Sequence, residues 1–394
     1  MFGLIGAGIF AIYSATHFRT DDLEIQGMWR RQIQWGVAGL LVFFVAALID
    51  YRWIRWGAIP AFLAGVAGLV LVQSIGIEVH SNKSWIRIPG VGTVQPSQFA
   101  IAAGIIVLSF VFGELHKLHH VFRYHFIRLF IAGIVVVVPL AFVLKEGDLG
   151  SAMVWLPVFG AMVLAGSIPF RYLIAGLLCG LIVAPLAFFF VLKPYQQKRV
   201  SVSIRLLRGE KVEYQKEGYA PINVVNAIGS AGWEGKGFGG KRMPLDAATG
   251  KPKKTVHQLG LIPKDTAHND YIFAVFAEEQ GFRGALLLIC GFGLLVFQCV
   301  FIAFCARDQM GRLIVVGVAA LVFAHVFQNI GMQVHLMPIT GIPLPFVSYG
   351  GTFLVTLMFL MGLVQSVWTH RNVALQDEAV TKQKDPLAGR RVLA

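Results

Sequence analysis

Two aspartates stand where chemistry on a membrane-anchored substrate would need them. Asp270 lies at the junction between a basic polar stretch and the apolar run Tyr271 to Ala277. A carboxylate at such a boundary is wet enough to ionise and close enough to a lipid surface to take a proton from an anchored hydroxyl. Asp148, in Lys145-Glu146-Gly147-Asp148-Leu149-Gly150-Ser151, occupies the equivalent boundary before another apolar run. As a pair they could share a substrate hydroxyl or a divalent cation, whose hard-acid character selects oxygen ligands. Each alone would equally serve as a helix N-cap, because aspartate accepts free backbone N–H groups of the first turn.

Other polar groups sit inside apolar surroundings. His325, Gln328 and Asn329 recur at helical spacing; such side chains face a bundle interior as interhelical hydrogen-bonders, or line a cavity. The following stretch, Met337 to Gly351, carries three prolines within eight residues, no charge, and Ser348 and Tyr349 near its end. It cannot be a regular helix, and an irregular turn at membrane depth is tolerated only against protein or a cavity. His116, His119, His120 and His125 cluster between two apolar runs. A pair four apart can bind metal, but an amphipathic loop at headgroup level accounts for them better. Cys179, Cys290, Cys299 and Cys305 lie in apolar segments with no CxxC spacing and read as small buried residues.

The elements that must position these groups follow from composition. Of 394 residues, 56% are hydrophobic and only 14% charged, with 43 glycines; soluble domains carry about 25% charged residues. A water-soluble fold cannot hide that much apolar surface, so the chain is expected to be an all-α polytopic membrane protein. A bilayer core about 30 Å thick needs roughly 20 helical residues, and a barrel would need alternating polar positions. The runs are continuous and give ten transmembrane helices, at about 2–18, 33–49, 56–75, 97–114, 126–144, 150–167, 171–192, 272–305, 312–334 and 345–368. The eighth contains Glu278, Glu279 and Arg283, which predicts a start outside the hydrocarbon or a break near Gly281 and Gly284. The first has no basic leader, unlike a signal peptide. Its 17 or so residues barely span, which points to a true start upstream of Met1.

Arg52, Arg55, Lys117, Arg123, Arg128, Arg171, Arg307 and Arg312 fall in short loops on one side, with five more Lys and Arg in the tail. Six fall on the other, so the positive-inside rule places both termini in the cytoplasm. One large extracytoplasmic loop, 193–269, joins helices 7 and 8 with 14 Lys and Arg against 6 Asp and Glu. Long loops escape the charge rule, and an exported basic segment beside a membrane implies lipid phosphate or pyrophosphate as partner, not nucleic acid. Within it, 218–240 is too apolar for a linker and too Gly-rich for a plain helix, and is expected at the interface. Residues 1–370 form the membrane domain and 371–394 a disordered cytoplasmic tail. No repeat of 20–50 residues is visible, which excludes solenoids and propellers.

The chain resembles the SEDS (shape, elongation, division and sporulation) peptidoglycan polymerases over nearly its whole length. The stretches that carry the likeness are Trp85-Ile86 to Gln95-Pro96-Ser97, Gly147-Asp148-Leu149-Gly150, Tyr195-Gln196-x-x-Arg199-Val200 and Ala227-Ile228-Gly229-Ser230-x-Gly232-x-x-Gly235-Lys236-Gly237. Two more are Asp270-Tyr271-Ile272-Phe273-Ala274 to Glu278-Glu279-x-Gly281, and Asn329-Ile330-Gly331-Met332 through Gly341-Ile342-Pro343-Leu344-Pro345-x-x-Ser348-Tyr349-Gly350-Gly351. Gly-Ile-Pro-Leu-Pro before Ser-Tyr-Gly-Gly favours the RodA-like elongation branch over the cell-division branch. The resemblance implies polymerisation of lipid II into β-1,4 glycan strands, with inversion at an undecaprenyl-pyrophosphate-activated MurNAc attacked by a GlcNAc 4-hydroxyl. It implies Asp270 as the catalytic base, and Arg199, Lys236, Asp148, Ser348 and Tyr349 as substrate or pyrophosphate contacts. Mg²⁺ or Mn²⁺ is the candidate ion, with Asp270 and Asp148 as ligands, and no organic cofactor is implied. The implied partner is a class B penicillin-binding protein, a transpeptidase, in the bacterial cytoplasmic (inner) membrane.

Three departures stand out. Where the family has Glu and Lys after Gln-Pro-Ser, this chain has Gln98 and Ile101; losing both is coherent, since a buried Lys without its Glu would be costly. Pro263 lies two residues further from Asp270 than the family pattern leads us to expect, and the first helix lacks a cytoplasmic leader. The competing functions are a lipid II flippase, suggested by mid-membrane polar residues and broken helices, and a weakly active scaffold for a transpeptidase.

Overall fold

Backbone in lipid must satisfy its own N–H and C=O groups, so the apolar runs fold as helices. The computed structural model describes residues 1–372 apart from 18–22, 80–81, 89–91, 215–217, 246–252 and 264. Its helices are α1 (Phe2–His17), the single turn α2 (Leu23–Gln26), α3 (Met28–Leu48), α4 (Ile54–Ile75), α5 (Pro96–Gly113), α6 (His125–Glu146), α7 (Leu149–Ala165), α8 (Phe170–Phe190), α9 (Pro194–Leu207), α10 (Tyr219–Gly229), α11 (Ile272–Cys305), α12 (Gln309–Gln333) and α13 (Gly351–Thr369). Eight are long and apolar enough to cross a membrane, and α1 and α7 are shorter apolar helices at the first and sixth expected positions. The molecule is a multi-pass membrane protein.

Burial sorts the helices. α5 is buried on nearly all sides, packed by α4, α6, α7 and α12, with α13 also against it. None of the described residues of α8 is buried, so its apolar surface faces lipid. Pro60, Pro139, Pro157 and Pro185 lie inside helices, as neighbouring helices permit in membranes.

Three features differ from the sequence expectation, and the break expected near Gly281 is present. The segment between α4 and α5 is a three-stranded antiparallel meander of β1 (Ile77–Val79), β2 (Asn82–Ile88) and β3 (Gly92–Val94), too short to betray a period. The last helix begins at Gly351, not 345, because Pro343 and Pro345 hold the preceding segment in a turn. The 193–269 segment contains two helices, α9 and α10, and α10 packs on α11 and α12. The glycine-rich stretch after α10 docks on a break in α11, where Gly281 takes φ 70° and ψ −169°. There Lys236 N donates to Glu278 O (2.9 Å), Gly237 N to Glu279 O (2.9 Å) and Phe282 N to Gly232 O (2.9 Å). A Cβ on Gly281 would strike the backbone of Gly235, so this crossing needs glycine on both sides. Most of the tail expected after 370 lies outside the described residues.

Candidate active site

Asp270 is carried on the two residues before α11, and the backbone there is fixed from α12. Asn329 Nδ2 donates to the Asp270 carbonyl (3.0 Å) and to Ile342 O (2.7 Å), and Gln333 Nε2 donates to the same Asp270 carbonyl (3.1 Å). Gln333 also donates to Asn329 Oδ1 (2.8 Å) and accepts from Ala274 N (2.8 Å). One polar face of α12 therefore locks the Asp270 peptide to the proline-rich turn. Gln328 donates to Thr340 Oγ1 (2.8 Å), and His325 Nδ1 lies 3.3 Å from Pro343 O, tying the same turn. The mid-membrane polar residues act as internal hydrogen-bonders, and what they hold is the site.

The two aspartates separate in role. Asp148 is the N-cap of α7: Oδ1 accepts from Ser151 N (2.9 Å), and Oδ2 from Ser151 Oγ (2.6 Å) and Gln95 Nε2 (2.8 Å). Asp270 caps nothing, since Tyr271 holds the N-cap position of α11 and makes no side-chain cap bond. Its carboxylate has no hydrogen-bond donor among the described residues, and a Cβ built on Gly341 would lie 3.0 Å from Oδ2. Burial pushes the Asp270 carboxyl up to about 7, helped by nearby Asp148 and opposed by the Arg199 guanidinium. Asp148 is also raised by burial, against the pull of its bonds to Ser151 and Gln95.

Arg199 arrives on α9. Gln196, at the third position of that helix, accepts from Lys193 N (2.8 Å) and donates to Gly147 O (3.0 Å), while Tyr195 Oη donates to the same carbonyl (3.0 Å). Gly147 ends α6 in the left-handed region (φ 96°), which turns its carbonyl toward α9. Arg199 lies over the Tyr195 ring, 5.7 Å from its centroid.

Asp148, Asp270, Arg199, Gln98 and Tyr349 all line one cavity of about 320 Å³, within the usual size of ligand sites, about 300–1,000 Å³. Gln95, Ser151, Asn269, Thr340 and Gly341 line it too, and nothing in the motif reading singled them out as site residues. Gln333, which does not reach the cavity, was also missed, although it continues the spacing of His325 and Asn329 by one turn.

Three expected residues are placed elsewhere. Lys236 is outside the cavity because Glu278 holds it in a buried ion pair (2.7 Å), with Ser230 Oγ taking a second bond (2.8 Å); a pyrophosphate contact would have to break both. Ser348 is a clasp: Oγ donates to Asn269 O (2.6 Å) and accepts from Leu344 N (2.8 Å). Ile101 is in the apolar core beside Trp155 and His325. Gln98, by contrast, approaches Ser151 Oγ at 3.4 Å and so joins the Asp148 network.

No three His, Cys, Asp or Glu side chains cluster as a metal site among the described residues. Both lone pairs of Asp148 Oδ2 are committed to Ser151 and Gln95. No reaction step is assigned to a divalent ion.

The model of the FtsW/RodA/SpoVE family, described as cell cycle protein, matches residues 1–373. The chain is 31% identical to the peptidoglycan glycosyltransferase MrdB of Escherichia coli K12, over 92% of this chain and 91% of that protein. It is 29% identical to a probable peptidoglycan glycosyltransferase FtsW of Geobacter sp. strain M18, over 92% and 93%. Among solved structures, it superposes with TM-score 0.71 on a chain of a peptidoglycan synthase complex concerned with coordinating polymerization and crosslinking, at 23% identity and covering 94% of this chain and 98% of that one. The rod shape determining protein RodA of Thermus thermophilus gives TM-score 0.63 at 23% identity, with 94% of each chain covered. These structural likenesses show the same fold.

Proposed function

The chain belongs to the FtsW/RodA/SpoVE family, is RodA-like and is a peptidoglycan glycosyltransferase, and from that premise we propose that it polymerises lipid II at the Asp270 cavity. Asp270 takes the proton of the acceptor GlcNAc 4-hydroxyl as the oxygen attacks the anomeric carbon of the donor MurNAc. The bond from that carbon to the undecaprenyl pyrophosphate breaks, configuration inverts from α to β, and Arg199 neutralises the charge that departs. A base with a pKa near the working pH is the effective one, and a positive group aimed at developing charge stabilises it without reorganisation.

The observation that carries the reading is the convergence of Asp270, Arg199 and Asp148, from three distant segments, on one cavity where, among the described residues, only Asp270 keeps a carboxylate without a donor. A flippase would need charged groups along a path through the bilayer; here Gln328, Asn329 and Gln333 are spent on holding the turn. The same reading places the protein in the cytoplasmic membrane with both termini inside and the cavity outside. It also gives the protein a class B penicillin-binding protein as partner, since one solved structure of this fold is a chain of a synthase complex.

The test is polymerisation of lipid II by the purified protein, with and without such a transpeptidase, read as glycan strand length. Activity in wild type that disappears in Asp270→Ala supports the reading. A wild type that stays inactive with its partner, in lipid and with divalent ions supplied, overturns it.

A further inference from the structure

A second polar cavity lies at the other end of α5. Gln98, in the first turn of that helix, faces the Asp270 cavity, whereas Phe112, next to its last residue, lines a cavity of about 700 Å³. An 18-residue helix rises about 27 Å, so the two cavities open on opposite faces of the bundle. The second is lined by His116, Lys117, Arg123, His125 and Arg128, and no Asp or Glu lines it.

Exposed basic side chains alone would mean little, and Lys117 already pairs with Glu114 (2.7 Å). Arg128 is different. It is only 7% exposed, and Nη1 donates to the Phe112 carbonyl (3.3 Å), but its buried Nε has no partner and no carboxylate pairs with it among the described residues. His116 Nδ1, in the same wall, is likewise buried without a partner. A guanidinium stays charged at any accessible pH, and leaving it buried without an anion is expensive. Buried donors with no acceptor mark the place of a group the protein itself does not supply.

The surroundings say what carries that group. Leu118, Tyr124, Phe126 and Phe130 flank the basic residues in sequence, Phe170 follows the lining residues Gly166 and Ser167, and all five are more than 60% exposed. They place the cavity mouth at the level where headgroups meet acyl chains, and a soluble anion has no use for such a collar. We infer that this cavity binds the phosphate of an anionic membrane lipid, held by Arg128 from below and by Arg123 and His125 at the mouth. The site lies on the face opposite Asp270, so the inference does not depend on the activity proposed there.

The full chain, purified and stripped of lipid, is titrated with phosphatidylglycerol, phosphatidylcholine and inorganic phosphate, and bound lipid is counted by native mass spectrometry. Phosphatidylglycerol should bind in preference to phosphatidylcholine, and Arg123→Gln should weaken it about fivefold, the effect of one basic group near a lipid surface. Arg128→Gln should weaken it further. Should that variant fail to fold, the double change Arg123→Gln with His125→Gln, both nearer the surface, carries the same test. Equal binding of the two lipids, wild-type binding by the folded variants, or displacement of the lipid by millimolar inorganic phosphate would overturn the assignment.

Discussion

Replacing Asp270 by Asn removes a negative charge while keeping the side chain's shape, so stability and turnover should move in opposite directions. Burial lifts the carboxyl from its ordinary 3.8 to about 7, with Asp148 adding and Arg199 subtracting. Because the folded-state pKa lies above the unfolded one, the folded chain holds the proton more tightly. Stability is therefore lost as pH rises from about 4 to about 7, and the full penalty applies above that. Some three pH units at 1.36 kcal/mol each make an upper bound of about 4 kcal/mol. Asp270 is half-buried and faces a cavity, and screening there brings the penalty to about 1–2 kcal/mol. Asn pays none of it, so at pH 8 Asp270→Asn should melt about 2–4 °C higher than wild type. Near pH 3.5 the gain should shrink to a few tenths of a kcal/mol. Lipid II polymerisation should meanwhile fall by about 10²–10⁴, the usual worth of a positioned base. The measurements are a melting scan at both pH values and a polymerisation assay at pH 8. Wild-type turnover by the Asn variant, or a melting shift that ignores pH, would refute the reasoning.

Four further outcomes follow from the same geometry. Arg199→Gln removes the charge that holds Asp270 down, so the acid limb of the polymerisation profile should move to higher pH; a profile displaced only in height would show that Arg199 does not act on Asp270. Gln333→Leu keeps bulk but leaves Asn329 Oδ1 and Ala274 N without this partner and the Asp270 carbonyl held by Asn329 alone. It should cost about 1–3 kcal/mol in thermal unfolding and lower turnover more than substrate affinity. Gln98→Glu puts a carboxylate beside the Ser151 that already serves Asp148, and should destabilise the fold by about 3–5 kcal/mol when introduced without Ile101→Lys. The double variant should be milder than the sum, and strict additivity in the melting cycle would mean that the two positions do not touch. A single cysteine at Lys253 should react with an impermeant maleimide on intact cells and one at Lys382 should not; the reverse pattern would sink the orientation and the outer-face site with it.

The sequence alone determined the fold class, because composition does so whenever apolar residues exceed what a soluble surface can hide. Ten continuous runs and the requirement that backbone in lipid bond to itself leave helices as the only answer, and most of their boundaries fell within a few residues, the start of the last helix excepted. The break in α11 was legible for the same local reason, charged residues beside glycines in an apolar run. Asp270 and Asp148 stood out by their boundary positions, and motif likeness added Arg199. What the sequence left open was which aspartate is a cap and which is free, since capping and catalysis ask for the same residue at the same place. That was decided by Ser151 and Gln95, which take up Asp148, and by Tyr271, which occupies the cap of α11 in place of Asp270. Lys236 was misplaced for a related reason: a basic residue in an exported loop looks like a phosphate ligand until Glu278, 42 positions on, is found beside it. Local patterns fix what a residue and its neighbours along the chain must do. Which oxygen is left without a partner depends on long-range contacts such as those of Asn329 and Gln333 with Asp270, and those exist only once the helices have packed.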